Sequence, residues 1–149
     1  MERAMIVTVD FGKRESWTAE ERSAELAELA ESASAMVVRR EIVRRHEPSP
    51  ASFIGSGKAE ELAGIASSEK IGVVIFNNDL TASQQKNLEE IMGVKTIDRT
   101  QLILDIFARR AHSNEGKLQV ELAQLKYMLP RLMDQGIQMS RLGGGIGTS

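Results

Sequence analysis

Over the first 98 residues, short apolar runs alternate with stretches whose apolar positions recur every three or four residues. The apolar runs, typical of buried strands, lie at residues 5–11, 35–44, 71–76 and 94–97. A stretch with helical spacing follows each of the first three runs, and a longer one follows the fourth. This order predicts a small four-stranded parallel sheet flanked by helices. The pattern therefore indicates an α/β domain at residues 1–98.

Charge and burial patterns predict where two of these strands lie in the sheet. The run at 35–44 has charged residues in its middle, Arg39-Arg40-Glu41, which is typical of an edge strand. The run at 71–76 is apolar on both faces, as expected of a central strand in a parallel sheet.

Residues 99–134 form a long amphipathic segment that begins after a candidate helix cap, Asp98. Its apolar side chains recur at coiled-coil spacing. They are Leu104, Phe107, Ala111, Leu118, Leu122, Leu125, Leu129 and Leu132. One helix of this length would reach about 50 Å, beyond the preceding domain, so its apolar seam needs a partner. We favour a continuous or gently kinked helix; the alternative is a hairpin broken at residues 113–116, where Gly116 weakens a helix.

Residues 135–149 are rich in glycine and predict a flexible strap. Arg141 lies beside these glycines, and a flexible backbone next to an arginine can lie against phosphates or bases. A linker to a further domain would have the same composition.

Charge is distributed unevenly in this chain of 149 residues, although its net charge is only −2. Residues 99–141 carry seven Lys or Arg against four Asp or Glu, which leaves the remainder acidic. A basic extension on an acidic body points weakly to a polyanionic partner, although many solvated helices look the same. The chain has no cysteine and no apolar run of membrane-spanning length, so we expect a cytoplasmic protein with no membrane partner.

Two segments are candidates for a nucleotide site. Gly55-Ser-Gly-Lys58 resembles part of a phosphate loop, but Ala59 stands where such a loop needs Ser or Thr. Asn77 and Asp79 follow the predicted central strand at its carboxyl end, where open α/β sheets bind ligands. The candidate residues are Gly55, Gly57, Lys58, Asn77 and Asp79. A purely structural turn is the competing interpretation of the glycines.

Other polar and aromatic residues give no site. His46 and His112 are far apart and lack nearby partners, so we predict neither a metal centre nor a catalytic residue. Trp17 and Tyr127 are single aromatic residues and do not form the repeated stacking platform of single-strand binders.

Five segments together resemble the N-terminal region of the HflX-type ribosome-associated GTPases. They are Ser52–Lys58, Asp98–Thr100 with Leu102–Phe107, Gly116–Tyr127, Leu129–Leu132 and Gly143–Thr148. The match runs over essentially the whole chain, and its most specific parts are residues 116–132 and 143–148.

The resemblance implies a parallel sheet followed by a long helical hairpin, whose two arms are joined by the glycine-rich strap. It also implies binding to the large ribosomal subunit and its rRNA, with splitting of stalled or stress-inactivated ribosomes. The rRNA contacts that it implies are those of the strap, Arg141, Gly143, Gly144, Gly145 and Gly147. Weaker candidates for backbone contacts are Lys117, Lys126 and Arg131.

The sequence departs from this family because it stops at Thr148-Ser149, before the second arm and the GTPase domain that the family implies. It contains no Walker A and no Asn-Lys-x-Asp motif, so GTP and Mg²⁺ are implied only for the full-length protein. We therefore expect this chain to be non-catalytic and to need no cofactor.

Without the second arm, a helix-packing seam would remain uncovered and two copies of the chain could pair through it. The seam consists of Leu118, Leu122, Leu125 and Leu129. The alternative functions are a stand-alone domain that binds a nucleotide such as ATP, and a self-associating helical module.

Overall fold

The computed structural model describes residues 1–13 and 16–143, with side chains described as far as residue 131. The strands in these residues are β1 (Glu2–Asp10), β2 (Ala35–Arg44), β3 (Val73–Phe76) and β4 (Lys95–Asp98). The helices are α1 (Ala19–Ser32), α2 (Ser56–Ser68), α3 (Ala82–Met92), α4 (Arg99–Arg110) and α5 (Asn114–Gly143).

The four strands form one sheet in the order β2-β1-β3-β4, and every neighbouring pair is parallel. The predicted α/β fold with a four-stranded parallel sheet is therefore confirmed. As predicted, β2 lies at an edge of the sheet and β3 lies inside it.

Helices cover both faces of the sheet, which explains why β3 and the middle of β1 are buried on both faces. Along β1, Met5 and Val7 point to one face and Ala4 and Ile6 to the other, and all four are fully buried. The first face packs against α2 and α3, and the second packs against α1 and α4. Each face of the sheet therefore forms its own half of the core with two helices.

Short polar side chains set the starts of three helices. Thr18 and Thr81 each form a capping box, with Glu21 and Gln84 respectively. The predicted cap Asp98 is also confirmed, since its carboxylate accepts a hydrogen bond from the Gln101 amide nitrogen at 3.0 Å. The Gln101 side chain donates to Asp105 instead of returning to the cap.

The prediction of one continuous or gently kinked helix over residues 99–134 is wrong, and the hairpin alternative is confirmed. α4 ends at Arg110, the backbone is extended at Ala111, and α5 begins at Asn114. Ser113 offers a local reason for the break, because its hydroxyl accepts a hydrogen bond from the Gly116 amide nitrogen at 2.9 Å. A side-chain cap of this kind favours a new helix start over continuation of the old one.

Helix α5 passes through Pro130 and reaches Gly143. Residues 135–143, which the glycine content places in a strap, are therefore helical. Residues 144–149 lie outside the described residues, and a coiled-coil arrangement of this helix stays a prediction. Of the helices in the described part of the chain, none is long and apolar enough to cross a bilayer.

Spin labels would test the break between α4 and α5, because the chain has no cysteine to compete with introduced ones. Cysteines replacing Thr100 and Lys126 would lie about 39 Å apart in one unbroken helix. In the hairpin we expect a distance of less than about 20 Å, since packed helix axes lie about 8–10 Å apart. Double electron–electron resonance measures this distance, and a single population near the longer value would contradict the hairpin.

Candidate functional site

The carboxyl edge of the sheet is organised around the carboxylate of Asp98, which is 1% exposed at the end of β4. One oxygen, Oδ1, accepts hydrogen bonds from the Gln101 amide nitrogen at 3.0 Å and from the Tyr127 hydroxyl at 2.8 Å. The other oxygen, Oδ2, accepts from the Leu80 amide nitrogen at 3.1 Å. One buried side chain thus joins the loop after β3, the start of α4 and the middle of α5.

Arg131 completes this attachment of α5, and its side chain is only 15% exposed. Its guanidinium donates to Gln85 Oε1 at 2.7 Å, to the Leu80 carbonyl at 2.8 Å and to the Tyr127 carbonyl at 3.0 Å. It also stacks over the Tyr127 ring, 3.6 Å from the centroid, and lies 3.6 Å from Asp98 Oδ2. Arg131, a candidate for rRNA backbone contact, is therefore engaged in holding the fold.

Tyr127 is held in its neutral, hydrogen-donating form. Burial raises the pKa of its hydroxyl above the ordinary value of 10.0, and the negative charge of Asp98 raises this pKa further. The sequence does not predict that Tyr127 binds Asp98, nor that Asp98 is buried and has a role beyond helix capping. The two residues are 29 positions apart, and no local pattern links them.

Helix α5 uses different faces for packing and for solvent. Small and medium side chains line the groove shared with α4, where Gly116, Val120 and Ala123 lie opposite Leu104 and Phe107. The predicted single seam is thus divided between two surfaces, because the chain turns between the helices. The leucines of the seam point away from the domain. Their exposed fractions are 66% for Leu118, 53% for Leu122, 63% for Leu125 and 56% for Leu129.

The other candidate RNA contacts lie on or beyond α5. Lys117 and Lys126 are exposed on the helix. Arg141 and Gly143 lie on the last turns of its backbone, and the side chain of Arg141 is outside the described set. Gly144, Gly145 and Gly147 lie outside the described residues. The role of all these residues in RNA binding stays a prediction.

The glycine loop before α2 has local structural functions. Gly55 is the N-cap residue of α2 with a φ of 85°, a conformation that favours glycine. The Arg45 guanidinium donates to the Ile54 carbonyl at 2.6 Å and occupies the space where a side chain at position 55 would lie. Gly57 lies in the first turn of α2, where an added side chain would meet open space. Lys58 forms an ion pair with Glu61 on the same helix.

Asn77 and Asp79 lie at the carboxyl edge, as predicted, but they face the α1 and α4 side of the sheet. The Asn77 amide donates to the Arg22 carbonyl at 2.8 Å, and Asp79 accepts from the Thr100 hydroxyl at 2.9 Å. No hydrogen bond or ion pair in the described residues joins them to the glycine loop. The five candidate nucleotide residues therefore form two separate groups.

Comparisons with known proteins agree with this architecture. A family model described as "GTP-binding GTPase N-terminal" matches residues 20–108, and a model described as "GTP-binding GTPase Middle Region" matches residues 110–149. The boundary between the two matches, at residues 108–110, falls at the end of α4, where the structure begins to turn into α5.

Curated relatives and solved structures point the same way. GTPase HflX of Alkalihalophilus pseudofirmus is 52% identical over 135 residues, which is 91% of this chain and 32% of that protein. GTPase HflX of Caldanaerobacter subterraneus subsp. tengcongensis is 51% identical, over 99% of this chain and 33% of its own length. A crystal structure of a GTP-binding protein from Sulfolobus solfataricus in complex with GDP superposes with a TM-score of 0.70 and 26% identity, over 92% of this chain and 40% of that chain.

The fold and these matches define the N-terminal region of a GTP-binding GTPase. The chain belongs to the HflX family of GTPases. It spans about a third of the length of the two curated relatives described above.

Replacing Tyr127 with Phe tests the attachment of α5. Loss of the hydroxyl removes one donor from a buried carboxylate, which we expect to lower the free energy of unfolding by about 1–3 kcal/mol. Urea unfolding measures this difference at neutral pH.

The same pair of proteins tests the raised pKa of Tyr127. A raised pKa means that the stabilising contribution is complete below the unfolded value near 10 and is lost as pH rises above it. The difference in the free energy of unfolding between the parent and the Tyr127→Phe protein should therefore shrink as pH rises above 10. A Tyr127→Phe protein as stable as the parent at pH 7 would contradict this role for the hydroxyl.

The exposed leucines predict concentration-dependent self-association of this chain alone, because apolar side chains on one helix face can bury each other in a second copy. Sedimentation velocity over a concentration series should show dimer. Changing Leu122 and Leu125 to Ser should abolish it. Met36→Ser is the matched control, since Met36 is 43% exposed on β2 and should leave the dimer intact. A monomeric parent chain would rule out pairing through this face.

Proposed function

We propose that this chain is the ribosome-binding N-terminal region of an HflX-type GTPase that associates with the large ribosomal subunit and promotes ribosome splitting. The proposal rests on membership of the HflX family together with one structural observation. Helix α5 leaves the domain with an uncovered leucine face and two exposed lysines. Hydrolysis of GTP, with its Mg²⁺, is assigned to the rest of the full-length protein.

The uncovered leucines support packing of a helix from the rest of the full-length protein against α5. Four leucines on one face, each more than half exposed, are costly in water and fit the apolar seam of a second helix. The middle-region match reaches residue 149, the last residue of this chain. The chain spans about a third of the length of its curated relatives. We assign the covering helix to the second arm that the family resemblance implies, and we expect self-association of this chain when that arm is absent.

The positions of the positive charges support contact with RNA through α5 and the strap. Lys117 and Lys126 are exposed and have no carboxylate partner in the described residues. By contrast, Arg44 on β2 forms ion pairs with Asp10 at 2.5 Å and with Glu20 at 3.3 Å. Unpaired exposed lysines are the groups that phosphates can neutralise with release of counterions.

Co-sedimentation of the chain with large ribosomal subunits at increasing salt tests the proposal. Binding should weaken as salt rises, and changing both Lys117 and Lys126 to Ala should reduce affinity and flatten the salt dependence. The slope should change by about 0.7–0.9 for each phosphate that the variant no longer neutralises. Arg141→Ala should also weaken binding.

Arg44→Ala is the matched control, because this arginine is already neutralised by two carboxylates. It should bind like the parent chain. Binding that does not respond to salt, or an equal reduction of affinity in all the variants, would count against the proposed surface.

A further inference from the structure

The carboxyl edge of the sheet has a second feature. Between two neighbouring strands, the connecting helices that follow them lie on opposite faces of the sheet. The chain leaves β1 through α1 on one face and leaves β3 through α3 on the other, while β1 and β3 lie side by side. A crevice opens at such a point in open parallel sheets, because the two connections diverge.

The structure has a crevice of about 380 Å³ beside this point, on the face of the sheet that carries α1 and α4, and it is open to solvent on its outer side. Its lining comes from the loop before α1, from α1, from the end of β3 and from the start of α4. The residues that line it are Ser16, Trp17, Arg22, Glu25, Asn77 and Arg99.

The crevice offers an exposed aromatic ring next to a positioned cation. Trp17 is 51% exposed, although large aromatic side chains usually bury most of their surface. Arg99 is one-third exposed and is held by Glu25 at 2.5 Å and by Asn77 Oδ1 at 3.4 Å. Asn77 is itself 8% exposed and fixed by the Arg22 carbonyl. The guanidinium therefore has a fixed orientation, with its remaining surface facing solvent.

These features fit a nucleotide within a strand better than a free nucleoside triphosphate. The lining residues include no glycine-rich turn and no pair of carboxylates for Mg²⁺, the groups that bind a polyphosphate. Proteins that bind single-stranded nucleic acid instead use an aromatic face to stack a base and an arginine to contact a phosphate. The open outer side leaves room for the strand to continue.

We propose that this crevice accepts one unstacked base of single-stranded RNA, with the base on Trp17 and an adjoining phosphate at Arg99. The inference rests on the proposed association with rRNA, and it adds a contact on the α/β domain to the contacts proposed for α5. Trp17 thereby gains a role that its isolation in the sequence does not indicate.

Trp17 is the only tryptophan of the chain, so its fluorescence reports on the crevice alone. Titration of the whole chain with a six-nucleotide single-stranded RNA of mixed sequence should quench this emission to saturation. Fluorescence anisotropy of the same RNA carrying a dye then gives the affinity of variants that lack the tryptophan. We expect Trp17→Ala to weaken binding at least about fivefold, the lower end of what loss of one base–aromatic stack causes.

Two further variants complete the test. Arg99→Gln should weaken binding, because it removes hydrogen-bond donors that face the phosphate. Arg40→Ala, which removes an exposed charge from β2, should change affinity less than about twofold. Circular dichroism of each variant shows whether it is folded. A folded Trp17→Ala protein that binds the RNA like the parent would overturn the inference.

Competition experiments distinguish binding of single-stranded RNA from binding of free mononucleotides or inorganic phosphate. Adenosine and uridine monophosphates should compete only weakly, and inorganic phosphate should not quench Trp17. Quenching by a free monophosphate at lower concentration than by the RNA would overturn the RNA assignment, and so would full displacement by phosphate.

Binding to large subunits is measured in parallel, so that the two proposals can fail separately. Subunit binding without any quenching by RNA overturns only this inference. Quenching by RNA without subunit binding overturns only the proposed function.

Discussion

Burial of the Asp98 carboxylate is the constraint on which the arrangement of the carboxyl edge depends. A charge at 1% exposure is costly unless it is paired and hydrogen-bonded. Here three donors and a nearby guanidinium meet this requirement, and they come from the loop after β3, from α4 and from α5. Because the carboxylate needs all these partners at once, satisfying it also fixes where α5 lies on the domain.

This attachment explains why α5 presents its leucines to solvent. Tyr127 and Arg131 lie four residues apart and therefore share one face of the helix, which must point towards Asp98. Gly116, Val120 and Ala123 extend the same face along α4. Once this face is committed to the domain, the leucine face is turned outward and becomes available to another helix. The contacts of Tyr127 and Arg131 with Asp98 and the exposure of the leucines thus both follow from one orientation of α5.

The same reasoning accounts for the features that local sequence patterns do not reveal. The leucine spacing is regular enough to suggest one seam from residue 104 onward, yet Ser113 provides a new helix start and the chain turns. The glycine loop at residues 55–58 has the composition of an anion site. In the structure Lys58 pairs with Glu61, and Arg45 donates to the carbonyl of the preceding residue, Ile54. Arg131 looks like any basic residue on a solvated helix. Its role depends on Gln85 and Leu80, which are distant in sequence and meet it only in the folded chain.

The amino-acid sequence was enough to predict the strand–helix order, the parallel sheet with its edge and inner strands, and the cap at Asp98. These features depend on residue spacing and on side chains within a few positions of each other, so they can be recognised locally. The folded structure was needed to show that α5 folds back, which of its faces is buried, and that Trp17 and Arg99 line one crevice. Those outcomes follow from contacts between residues far apart in the chain. The buried carboxylate of Asp98 determines which face of α5 packs on the domain, and local sequence patterns do not reveal that contact.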